Sequence, residues 1–265
     1  DRVGKTALIT GASSGIGRAF SEFLAEQGYD LILVARRSDH LRAVATDAAY
    51  HGVYAETYAL DLTDPAAITE LDAALAGRDL DLFVNSAGVG DFGPFMESTW
   101  ERNEAMIALN VAACMQVFHI VAGAMAAKGR GRIIQVASVA AFQPGPLMSV
   151  YYASKAFGLS LSQALAEELA PYGVSVTALC PGPTRSPFHG TAGMHIGSSE
   201  RRSMATTREV VEYGYRAALR GKRVAIHGFA FKAMVFLERL LPRAAVARGV
   251  GLLQSRRRGA RPTGK

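Results

Sequence analysis

Short apolar runs alternate with stretches of helical periodicity along most of this chain. Residues 5–10 form the first run, and residues 16–27 follow with Ile16, Phe20, Phe23 and Leu24 on a helical stripe. The pattern repeats with a second strand over 31–35, a helix over 39–51 and a partly alternating third strand over 53–60. Thr63-Asp64-Pro65 opens another helix, a hydroxyl or acid cap ahead of a proline in the first turn. Residues 80–84 predict a fourth strand, 131–137 a fifth, 174–179 a sixth and 223–226 a seventh. Between them lie helical stretches over 99–128, 149–171 and 207–220, the first interrupted by Asn110. Residues 185–206 are polar, glycine-containing and arginine-rich, and read as a mobile loop.

Strands alternating with helices in this way predict a doubly wound parallel seven-stranded sheet, a Rossmann fold, as one domain over 1–228. Residues 229–265 form a basic amphipathic C-terminal extension. A chain of 265 residues with 49% hydrophobic content can bury a sizeable core. The net charge of +6 is uneven: residues 215–265 hold 13 Lys/Arg and one acid, Glu238, leaving 16 Lys/Arg and 22 acids before them. The basic character therefore belongs to the C-terminus and not to the main domain. Cys114 and Cys180 make neither a disulfide framework nor a metal set, and read as buried small residues. The six histidines, at 40, 51, 119, 189, 195 and 227, lack paired-ligand spacing, so no metal site is expected. The chain starts at Asp1 with neither a charged n-region nor an apolar h-region, so no signal peptide is read, and the missing methionine suggests trimming. No uninterrupted apolar run of about 18 residues argues for a membrane span.

Candidate chemistry sits where the strands end. Gly11-Ala12-Ser13-Ser14-Gly15-Ile16-Gly17 joins the first strand to the first helix. A glycine turn there permits close backbone approach, and the helix N-terminus offers N–H groups and a positive dipole end to a diphosphate. The spacing is GxxxGxG and not GxGxxG. Arg36 and Arg37 end the second strand, with no acid over 34–38. Cations at that position suit a ribose 2′-phosphate, so the charge favours NADP(H) over NAD(H). Asp61 either holds an adenine amino group or is a solvated turn acid. Tyr151 and Lys155 are four apart on one helix face, where a lysine favours the phenolate.

Taken together, TGASSGIG (10–17), DLTD (61–64), NSAG (85–88), Asn110 with Val111, Ser138, YYASK (151–155) and PGPT (181–184) resemble the classical short-chain dehydrogenase/reductase family over about 3–228. The 13 residues from Ser138 to Tyr151 fit as well. The resemblance implies a carbonyl reductase or alcohol dehydrogenase with a tetrad of Asn110, Ser138, Tyr151 and Lys155. Tyr151 would be general acid in reduction and base in oxidation. Lys155 would lower its pKa and bind the nicotinamide ribose, Ser138 would bond the substrate carbonyl, and Asn110 would hold a relay water. It also implies that Gly11, Ser13, Ser14, Gly15, Ile16 and Gly17 hold the diphosphate and Asp61 and Leu62 the adenine. Asn85, Ala87 and Gly88 would meet the adenosine ribose region, and Pro181, Gly182 and Thr184 the nicotinamide. NSAG stands here for the family's usual NNAG.

One substrate wall is expected from 139–148 and from the lid over 185–206, with Phe142, Pro144, Leu147, Met148, Phe188 and Met194 as pocket candidates. They suit an apolar ketone or secondary alcohol, or an acyl chain, more than a sugar. The extension either lies on an anionic membrane surface or packs on a neighbouring subunit or on its own chain, with Arg256, Arg257 and Arg258 solvated. A cytoplasmic homodimer or homotetramer without nucleic acid is expected. The rival reading is a catalytically silent nucleotide-binding regulatory or membrane-surface scaffold protein on the same fold.

Overall fold

The computed structural model describes residues 4–194 and 196–258, the side chains of Arg257 and Arg258 excepted. His195, residues 1–3 and residues 259–265 of the expected extension lie outside the described residues. In chain order the elements are β1 (Lys5–Thr10), α1 (Gly15–Glu26), β2 (Tyr29–Ala35), α2 (Ser38–Ala49), β3 (Ala55–Ala59), α3 (Pro65–Leu75), β4 (Leu82–Asn85), α4 (Trp100–Ile107), α5 (Cys114–Lys128), β5 (Gly131–Val136), α6 (Ser149–Glu168) and β6 (Val174–Cys180). They continue as β7 (Thr184–Arg185), α7 (Phe188–Thr191), α8 (Ser198–Ser203), β8 (Ala205–Thr206), α9 (Thr207–Leu219), β9 (Val224–Ile226), α10 (Phe229–Glu238) and α11 (Arg243–Arg258).

Seven strands form the expected parallel sheet in the order β3-β2-β1-β4-β5-β6-β9. Both faces are buried, so the strands are apolar on both sides, as helix-covered parallel sheets are. The period of two still sorts the core. Ala7, Ile9, Leu31 and Leu33 pack with α1, α2 and α9 on one face. Leu8, Ile32 and Val34 pack with α3, α5 and α6 on the other. The chain order reverses between β1 and β4, and this switch point opens a crevice at the strands' C-terminal ends.

Three departures from the expected elements have local causes. The helical run Trp100–Lys128 is long and apolar enough to cross a membrane, but its buried positions, including Val117, Phe118 and Val121, belong to the sheet core. Its middle, Ala108–Ala113, is a π-helical segment carrying Asn110. The 149–171 helix stops at Glu168, and Pro171 sits in a separate 3-10 turn, where it needs no helical hydrogen bond. The 185–206 stretch contains α7 and α8 and is closed at its base by β7 pairing with β8. Arg185 ties that base further, donating to the carbonyls of Met204 (2.9 Å) and Arg202 (2.7 Å).

Candidate active site

The glycine turn comes first because its shape depends on missing side chains. Gly11 adopts φ +68°, and a Cβ there would lie 2.9 Å from Ala87. A Cβ on Gly17 would lie 2.3 Å from the Gly11 carbonyl oxygen, so the first turn of α1 can seat against β1 only with glycine. Gly11, Ser13, Ser14, Gly15 and Ile16 then line one end of a cleft of about 500 Å³. Arg36, Arg37, Asp61, Leu62, Ala87 and Gly88 line the same end. Arg37 donates to the Ser13 hydroxyl at 3.2 Å, and Arg36 pairs with Asp61 at 3.6 Å. The Thr63 N–H holds the Asp61 carboxyl below its usual range, with the Thr63 hydroxyl and Arg36 assisting.

Six expected site and pocket residues do not line the cleft: Gly17, Asn85, Asn110 and Phe142, and, at its far end, Pro144 and Leu147. Gly17 serves the close approach just described. Asn85 is buried and accepts from Thr10 Oγ1 (2.9 Å), while its amide donates to Cys114 Sγ (3.2 Å). Thr10 Oγ1 in turn accepts from the N–H groups of Ser86 and Ala87. Asn85 thus fixes the small-residue turn to β1 from behind, and Cys114 is a member of a buried polar chain that reaches Gln135. Asn110 spends its amide inside the protein: Oδ1 accepts from Val89 N–H (2.9 Å), and Nδ2 donates to Val89 C=O (2.8 Å) and Ser154 Oγ (3.0 Å). Phe142 turns away from the cleft to pack with Ala137, Ala141 and Leu159.

Ser138, Tyr151 and Lys155 meet in the cleft beside Pro181, Gly182 and Thr184. β5 ends just before Ser138, which caps a 3-10 turn by accepting from Ala140 N–H (3.1 Å). Burial pushes the Tyr151 phenol well above its ordinary value, because a phenolate there would lose its hydration. The Ser138 hydroxyl opposes that rise and Tyr152 adds to it. Burial pushes Lys155 down, with the Cys114 and Cys180 thiols opposing. Lys155 Nζ donates to Val136 C=O (3.0 Å) and lies 5.8 Å from the Tyr151 ring centroid. The ammonium sits over the ring face, and the direction of the phenol's shift is set by burial.

The opposite end of the cleft is apolar. Met148, Phe188 and Met194 line it as expected; Pro144 and Leu147 do not. Phe188, on α7, tilts over Tyr151 with centroids 5.2 Å apart, and Gly90 leaves the room it needs. Leu147 holds φ +67°, unique among non-glycine described residues, and its carbonyl accepts from Gly93 N–H (2.9 Å). The pattern of the sequence did not single out Gln254 of α11, yet it lines the cleft and is only 2% exposed. The available signal is its register: Val246, Val250 and Gln254 fall four apart on one helix stripe.

Comparison with known proteins places this architecture. The profile of the short chain dehydrogenase family matches residues 5–195. A sorbitol dehydrogenase of Cereibacter sphaeroides is 41% identical over 182 residues, 68% of this chain and 70% of its own length. A 7beta-hydroxysteroid dehydrogenase of Mediterraneibacter gnavus is 30% identical over 230 residues, 85% and 86% of the two chains. Among solved structures, a short-chain dehydrogenase from Sphingobium yanoikuyae in complex with NADPH superposes with TM-score 0.80 at 36% identity, over 89% of this chain and 94% of that one. One from Burkholderia phymatum in complex with NAD gives TM-score 0.80 at 27% identity, over 88% and 92%.

Proposed function

We propose, for a chain that belongs to the short-chain dehydrogenase family, an NADP(H)-dependent oxidoreductase that interconverts an apolar or acyl-chain ketone and its secondary alcohol. The observation that carries this reading is that Ser138, Tyr151 and Lys155 line the same cleft as the glycine turn. A nicotinamide bound there supplies or accepts the hydride. The turn that Gly11 and Gly17 allow to close against Ala87 and the Gly11 carbonyl lines the cleft at the N-terminus of α1, where free N–H groups suit a diphosphate.

The roles of the chain's own groups follow. Ser138 and Tyr151 donate hydrogen bonds to the substrate oxygen as negative charge develops on it. Tyr151 transfers its proton in reduction and recovers it in oxidation. Burial keeps the phenol protonated at neutral pH, so the proton to be transferred is in place. Lys155, anchored to Val136 C=O, holds positive charge over the ring and stabilises the phenolate left when the proton is given up. Phe188 and Met148 keep water from the reacting end. Asn110 acts as a positioning residue through Val89, and its part in a relay is not needed for these steps.

Replacing Tyr151 by Phe keeps the ring and removes the proton donor. NADPH oxidation across a ketone panel is expected to fall about 10²–10⁴-fold. Unchanged turnover would remove Tyr151 as the proton donor, and no turnover by the wild type across the panel would leave the silent scaffold as the better reading. A cytoplasmic homodimer or homotetramer accompanies the proposal, with Trp100, Ile107 and Met115 exposed along α4 and α5 as candidate contacts. Light scattering in solution reads the assembly, and a monomer would remove that part.

A further inference from the structure

The extension beyond the last sheet strand returns to the cleft. Phe231 of α10 packs where a Cβ on Gly182 would lie, 2.3 Å from its ring. The chain then reverses at Pro242, and α11 passes over the wall formed by 144–148: Gly251 sits against Pro146, and Val250 joins the cluster of Met148, Tyr151 and Tyr152. Gln254 Nε2 donates to Tyr152 Oη at 3.0 Å and lies 3.9 Å from Met148 Sδ. Tyr152 and Gln254 both line the cleft. Tyr152 is held in place from beneath, since a Cβ on Gly145 would lie 2.2 Å from its ring.

An amide buried among methionine, valine and tyrosine side chains costs free energy unless it is bonded, whereas a leucine would fill that place with apolar contact alone. The hydroxyl–amide pair is uncharged and combines donor and acceptor chemistry. It therefore matches an alcohol or carbonyl oxygen and gives no charge complement to a carboxylate or phosphate.

We propose that Gln254 and Tyr152 form a specificity-determining subsite. It selects an otherwise apolar ketone that carries a second, uncharged oxygen function remote from the reacting carbonyl. The inference rests on the reductase reading for its kinetics but not for its binding. It assigns α11 to the substrate site, beyond a role as a surface tail.

The test pairs methyl alkyl ketones with their ω-hydroxy analogues over a series of chain lengths. Wild-type protein is compared with Gln254→Leu and Tyr152→Phe, both in the full chain. At one chain length the wild type is expected to prefer the hydroxylated ketone at least ~10-fold in kcat/KM, about 1.4 kcal/mol. Gln254→Leu and Tyr152→Phe collapse that ratio, mainly through KM, and any general loss from a loosened α11 divides out. No preference at any length, or parallel losses on both members of each pair, overturns the subsite. The same pairs are followed by ligand-observed NMR with NADPH present. Weaker binding of the hydroxylated member to Gln254→Leu supports the subsite even where no ketone is turned over, and equal binding overturns it. Absence of turnover by wild type, with that binding difference intact, overturns the reductase reading alone.

Discussion

Lys155 stands where burial and function conflict. Its folded pKa is pushed below the unfolded value of about 10.4 by loss of hydration. Below that value the unfolded chain binds the proton more readily, so this residue's contribution to stability is present at alkaline pH and lost as pH falls toward its folded pKa. Tyr151 shifts upward, so its contribution is complete below about pH 10 and cannot mask the effect. Lys155→Met is therefore expected to raise the melting temperature at pH about 7 and to flatten the rise toward pH about 9.5. The lost bond to Val136 opposes this by only about 1 kcal/mol. Activity should vanish in the same variant, and a lower melting temperature at neutral pH would show that burial of the ammonium is not costly here. At the other end of the cleft, Arg36→Ala with Arg37→Ala should raise KM for NADPH about tenfold or more while leaving KM for NADH near its starting value. Equal losses with both would remove the charge argument for NADP(H). The arginines were legible because they follow a strand end, Tyr151 and Lys155 because four residues set them on one helix face, and Ser138 through the resemblance. Asn85 and Phe142 went elsewhere because an amide or a ring takes whatever partner the neighbouring element presents, here Thr10 of β1 and Leu159 of α6.

Helices and loops were legible where periodicity continued and obscure where it broke. The central strands were visible as apolar runs because a parallel sheet covered on both faces buries them on both sides, whereas the edge strand β3 (AETYA) showed only as partial alternation. The break at Asn110 was visible too, but not its cause. One extra residue per turn in the π segment belongs to a place where a polar side chain grips the adjoining loop. Asn110→Leu tests that account. It would strip Val89 N–H and C=O of their partners, for a combined cost of roughly 1–3 kcal/mol given partial burial. Both the melting temperature and kcat/KM should fall, because Val89 and Gly88 line the cleft. A loss of activity with the melting temperature intact would instead favour the relay role implied by resemblance. The lid was harder still: its polar composition read as mobile, whereas Arg185 ties its base to two carbonyls that the sequence could not single out.

At the scale of the molecule the charge division seen in the sequence acquires a surface. Phe229, Phe236, Leu237, Leu240 and Leu241 on and after α10, with Leu252 and Leu253 on α11, are exposed. Arg239, Arg243, Arg248 and Arg256 have no ion pair among the described residues. A second copy meeting this face by twofold symmetry would set cations against cations, with Glu238 the single acid from 215 onward. An anionic lipid surface complements both the charge and the apolar side chains, each basic residue near it adding about 1 kcal/mol. The full chain is thus expected to co-sediment with vesicles containing phosphatidylserine, but not with phosphatidylcholine alone, and to be released as salt shortens the screening length. Arg239, Arg243 and Arg248 changed together to Glu should abolish sedimentation. These residues lie outside the cleft lining, so the test separates surface attachment from the part α11 plays at Gln254. Equal partitioning onto both vesicle types would exclude the electrostatic attachment. Should the triple variant instead lose its oligomeric state in light scattering without any change on vesicles, the face belongs to a neighbouring subunit's acidic main domain.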